Sequence, residues 1–106
     1  MTDYLLIESR SEPGDVDYSC TVAAQLVGHG HDVALFLVQN GVLRARRDAK
    51  ADGLDTAASA GVMLLADDFS LRERGIGNDQ LRSQIAPAPL ETVVDALVRG
   101  AKVIWH

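Results

Sequence analysis

Gly61-Val62-Met63-Leu64-Leu65-Ala66-Asp67-Asp68-Phe69-Ser70-Leu71-Arg72-Glu73-Arg74-Gly75-Ile76-Gly77 is the stretch that decides the fold. Val62 to Ala66 is a short unbroken apolar run, the pattern of a strand covered on both faces. It delivers Asp67 and Asp68 into the first turn of a short helix, which continues through Arg74 and leaves by Gly75-Ile76-Gly77. The carboxyl ends of strands in open parallel sheets are where ligands and chemistry gather. Here that position is loaded with acid and carries no cysteine.

Strand-like and helix-like patterns alternate outward from this segment. Tyr4 to Ile7 reads as a first strand, closed by the polar run Glu8 to Asp15. From Val16 to His29 the period turns helical: Val16, Cys20, Ala23 and Val27 share one face, and Gly28 and Gly30 stop the helix. Val33 to Val38 is apolar throughout and reads as a central strand, with Gln39-Asn40-Gly41 as the turn after it. The alanine-rich, charged segment Val42 to Ala60 is expected to hold one or two short helices broken at Gly53. Between Asn78 and Ala86 a short helix, a strand around Ser83-Gln84-Ile85 and a loop all remain open. Pro87 and Pro89 rule out regular structure across Ala86 to Pro89. Leu90, Val93, Val94, Leu97 and Val98 form the stripe of a last helix, and Lys102 to Trp105 close as a strand. Such alternation implies right-handed βαβ units. The expected fold is one α/β domain over residues 1–106. It is a three-layer α/β/α arrangement with a mostly parallel sheet of four or five strands, flavodoxin-like in outline.

Composition narrows the function classes. The chain has 106 residues and is 47% hydrophobic, enough for one core, and aromatics are scarce. A net charge of −5 argues against nucleic-acid binding, which needs a basic surface. The single cysteine cannot form an internal disulfide, which fits a reducing, cytoplasmic setting. No basic leader and no membrane-length apolar run is present, so no membrane partner is expected.

The order of parts resembles the DsrE/DsrF/DsrH-like family of small sulfur-relay proteins. The resemblance rests on Gly28-His29-Gly30-His31-Asp32-Val33, Gln39-Asn40-Gly41-Val42, the run from Gly61 through the pair Arg74-Gly75, and the terminal strand with Trp105. It implies a homo-oligomer, a dimer or trimer, or an assembly with a paralogue of that family. It also implies a sulfur-carrying cysteine after the third strand, where this chain reads Ala66-Asp67-Asp68. A carboxylate cannot carry a persulfide. Related assemblies contain subunits that lack the reactive cysteine and serve to build the oligomer.

The candidate residues follow. Cys20 is the one thiol, and as a sulfur carrier it would be the catalytic residue. It lies more than a turn into its helix among apolar face-mates, which favours a core role. Glu8, Ser9, Asn40, Asp67, Asp68 and Arg74 are the candidates for a ligand pocket at the strand ends. Glu8, Asp67 and Asp68 would make an acidic, metal-binding edge if they gathered there. The simpler reading is that Asp67 or Asp68 caps the following helix. His29 and His31 lack an evident third ligand, so no metal set is assigned. No cofactor is expected. Arg44, Arg46, Arg47 and Lys50 are one basic patch, read first as a solvated face and second as a docking surface for an acidic partner. The leading expectation is a non-catalytic DsrE-like domain serving as an oligomeric subunit or a ligand- or partner-binding protein. The alternatives are a sulfur-transfer subunit using Cys20 and an acidic-pocket metal-binding domain.

Overall fold

Five short, largely apolar runs become strands, the inner three mostly buried and the two at the edges partly exposed. They are β1 (Tyr4–Glu8), β2 (Val33–Leu37), β3 (Met63–Asp67), β4 (Ile85–Ala88) and β5 (Lys102–Trp105). The structure, a computed structural model, describes residues 2–106. All five strands pair in parallel in one sheet, in the order β4-β3-β2-β1-β5. The layers and parallel sheet are those the sequence implies. The strand order is different from the flavodoxin 2-1-3-4-5. Here the chain steps from β1 outward to β4, then returns across the sheet to place β5 on the other side of β1. β2 is buried along its whole length, as its unbroken apolar run requires.

Stepping one way and returning the other sorts the helices onto the two faces. α1 (Pro13–Gly28) and α2 (Asp52–Ala60) pack together on one face, beside a 3-10 helix over Gln39–Ala45 and the short α3 (Asp68–Glu73). Their core joins Val16, Cys20 and Ala23 to Leu6, Leu35, Leu37, Leu54 and Leu64. The opposite face holds a smaller core of Leu5, Ile7, Ala34, Phe36 and Val38. It is covered by α4 (Glu91–Val98), which contributes Val93 and Ala96 and has no fully buried residue. No described helix is long and apolar enough to cross a membrane.

Local signals set the helix ends. Pro13 opens α1, where its missing N–H breaks no bond. Gly30, at φ +90, closes the turn after it, and the His31 and Gly30 amides return to the Leu26 and Val27 carbonyls. Two expectations fail. Gly53 does not break a helix but lies at the start of α2, against α1; a Cβ there would come within 2.5 Å of an Asp17 carboxylate oxygen. Residues Ile85–Ala88 form a strand despite Pro87. β4 is an edge strand with β3 on one side only, and an edge tolerates a residue that cannot donate.

Candidate functional site

The carboxyl edge of the sheet carries two clusters, one around Glu8 and one around Asp67. β1 runs Leu5-Leu6-Ile7-Glu8, and alternation turns Leu6 and Glu8 toward α1. Glu8 is 0% exposed. Burying a carboxylate is costly unless its oxygens are hydrogen-bonded, and here they are. Oε1 accepts from the Ser19 hydroxyl at 2.5 Å and lies 2.6 Å from Nδ1 of His106, while Oε2 accepts from the Arg10 amide at 2.9 Å. Nε2 of His106 faces Asp15 at 4.0 Å, and its ring lies 5.2 Å from that of Tyr18. The Ser9 amide and hydroxyl both donate to the His106 carbonyl. Glu8 and Ser9 therefore clasp the end of β5 to β1 and α1. Sequence reasoning missed Ser19 and His106; a hydroxyl on the buried face of α1 was the only available signal.

On the other side, β3 places Met63, Leu65 and Asp67 on the α4 face by the same alternation. Asp67 is 6% exposed and caps α3, its Oδ2 accepting from the Ser70 amide at 3.1 Å and hydroxyl at 2.6 Å. An acid at the first turn thus acts as the helix cap that its position implies. The other oxygen, Oδ1, is buried and has no hydrogen-bond partner among the described residues. The chain of bonds continues outward. Ser70 Oγ accepts from the Gln39 amide at 2.9 Å, and the Ser70 carbonyl accepts from Arg74 at 3.3 Å. Arg74 also donates twice to Asn40 Oδ1, at 3.0 and 3.3 Å. Gln39 holds φ +50, a left-handed conformation uncommon for a residue with a side chain and frequent at functional sites. Asn40, Asp67 and Arg74 thus come together, joined by Gln39 and Ser70. Asp68 does not join them; it faces Arg72 one turn on, 3.8 Å away at the surface.

Glu8, Asp67 and Asp68 share an edge of the sheet but do not converge, because Glu8 and Asp67 leave it on opposite faces. Among the described residues no group of three or more His, Cys, Asp or Glu side chains is arranged to hold a metal. The 3-10 helix supplies Gln39 and Asn40 to the Asp67 cluster and passes directly over the end of β1. A Cβ on its Gly41 would stand 2.4 Å from the Glu8 carbonyl oxygen, so only glycine lets it lie this close over the strand ends.

Cys20 follows Ser19 on α1, within reach of the charge of Glu8 but in neither hydrogen-bonded cluster. It is buried at the floor of a groove of about 530 Å³ between α1 and α2, which it lines together with Asp17, Thr21, Asp52, Gly53 and Thr56. Burial pushes its thiol up to about 12, and the negative charges of Asp17 and Glu8 add to the effect. A reactive cysteine needs the reverse, exposure and a nearby cation. His29 bonds back to the Gln25 carbonyl, while His31 meets Tyr4 and Asp3, so the two share no site. In the basic patch, Arg44 is tied to the carbonyls of Ser11 and Lys50, and Arg46 pairs with Asp48.

No protein-family model matches the chain, and no curated protein matches it. Solved structures do share its fold. The MTH1491 protein of Methanobacterium thermoautotrophicum, of unknown function, is 17% identical with a TM-score of 0.85, and all of both chains is covered. The ychN protein of E. coli is 18% identical with a TM-score of 0.86, again over all of both chains. The BT1422 protein of Bacteroides thetaiotaomicron, also of unknown function, is 15% identical with a TM-score of 0.73, covering 98% of this chain and 95% of that one. At these identities the likeness concerns the fold alone.

Proposed function

We propose that this chain is a cytoplasmic, DsrE-like subunit that works without a sulfur-carrying thiol. In this reading it binds a small polar ligand at the Asn40–Asp67–Arg74 cluster and assembles with copies of itself or with a paralogue. The observation that carries the ligand reading is the unpartnered Oδ1 of Asp67. A buried acceptor left without a donor costs about 1–3 kcal/mol, and a helix cap needs only the other oxygen. A ligand N–H would fill Oδ1, while Arg74 places a positive charge at the same cluster for an acceptor on the same molecule. Amino acids and their amides carry both groups.

The test is a melting-temperature screen of wild type against amino acids, their amides and small amines. A ligand present at a hundred times its Kd stabilises by about 2.7 kcal/mol, an easily read shift. Asp67→Ser, which retains a capping oxygen, is expected to lose the response. A response that persists in Asp67→Ser sinks the reading. The sulfur-carrier alternative is tested beside it by intact mass spectrometry after polysulfide treatment, with Cys20→Ala as the control. No added sulfur is expected until denaturant exposes the thiol.

A further inference from the structure

We infer that the outward face of α4 is the contact between two copies of this chain, packed helix against helix across a two-fold axis. This rests on the oligomeric part of the proposed function and is independent of its ligand.

One helix is too little cover for this face. Five strands about 4.8 Å apart span roughly 20 Å, and a helix with its side chains is about 10 Å across. The other face has α1, α2 and the 3-10 helix, whereas this one has α4 alone. A cleft of about 220 Å³ remains between α4 and the sheet, lined on the sheet side by Leu5, Ala34, Met63 and Leu65 and on the helix side by Thr92, Asp95, Ala96 and Arg99.

The helix itself is apolar on two sides. Val93 and Ala96 pack on the sheet. Leu90, Val94, Leu97 and Val98 fall at i, i+4, i+7 and i+8, a single stripe, and all four are more than half exposed; Val98 reaches 81%. Trp105, on the same face of the sheet at the end of β5, is 61% exposed. At these exposures, and with Trp105 a side chain of roughly 150–250 Å² when whole, the five together present on the order of 500 Å² of apolar surface. A standard interface buries about 800 Å² per partner, of which about 65% is apolar in homodimers, so the patch matches what one side of a stable dimer needs.

The stripe also fits its own copy. Run antiparallel about Val94, it sets Leu90 opposite Val98 of the partner subunit and Val94 opposite itself. Residue i then meets j while j meets i, which is the condition for a closed two-fold contact.

The experiment is sedimentation equilibrium of the full chain at micromolar concentration, with Val98→Asp and with Val94→Cys in a Cys20→Ala background. Wild type is expected as a dimer or a multiple of two. Val98→Asp is expected to halve the mass while keeping the circular dichroism spectrum, since Val98 contributes nothing to the monomer core. Val94→Cys is expected to cross-link to itself on mild oxidation, which needs Cα atoms within about 7 Å. A monomeric wild type overturns the inference, as does a trimer. An assembly that Val98→Asp leaves intact and Val94→Cys fails to cross-link overturns it too. Should Val98→Asp fail to fold, the cross-link decides alone.

Discussion

Glu8 and Asp67 are both buried carboxylates at a strand end, yet their surroundings give them opposite characters. Glu8 has donors on both oxygens, so removing it strands three groups at once. Glu8→Ala leaves the Ser19 hydroxyl, the Arg10 amide and the His106 ring without their acceptor. It is expected to destabilise the domain by about 2–4 kcal/mol in urea denaturation, and Glu8→Gln by markedly less. Asp67 is half satisfied. Asp67→Ser keeps a capping oxygen and removes the orphan, so the unliganded protein is expected to hold its stability or gain about 1 kcal/mol. Cys20 makes a third, pH-dependent case. Its thiol ionises at about 12 in the folded chain against an ordinary 9.0. Between those values the unfolded chain has released a proton that the native one keeps, so stability falls as pH rises. The slope approaches about 1.4 kcal/mol per pH unit for one proton. Cys20→Ala, though less stable at neutral pH, is expected to lose that increment in alkaline melting curves.

The elements differ in how openly the sequence declares them. β2 and β3 were legible because a strand covered on both faces must be apolar at every position. The same unbroken run hides which way each side chain points. Leu5-Leu6-Ile7 gives no parity, so nothing in β1 said that Glu8 would turn to α1 while Asp67 turned to α4. The Glu8 clasp was illegible for another reason: its partners lie 11 and 98 residues away. Capping at Asp67 was legible because it is local, made to Ser70 three residues on. β4 was obscured by Pro87, whose effect depends on whether a strand is central or at the edge. The 3-10 helix carries the sharpest steric demand. Gly41→Ala pushes a methyl into the Glu8 carbonyl and is expected to cost about 1–3 kcal/mol, read as a lower denaturation midpoint at unchanged m-value.

Across the whole molecule the two faces are unequal. The α1–α2 side holds the larger core, and the α4 side depends on Val93 and Ala96. Local opening is cheapest where few apolar groups are buried. In the Val98→Asp variant, α4 amides are therefore expected to exchange with deuterium faster than those of α1, with β2 slowest. Equal protection in α1 and α4 would contradict this account.

The place of β5 has a consequence for how the protein is made. β1 emerges from the ribosome before the other strands, but one of its two neighbours is the last strand of the sheet, and synthesis runs at about 5–20 residues per second. Throughout that interval the nascent sheet has an open edge at β1, and Glu8 has Ser19 and the Arg10 amide but lacks His106. β5, translated after the other four strands, thus closes the sheet beside β1, so the sheet is finished only once that stretch of the message has been read.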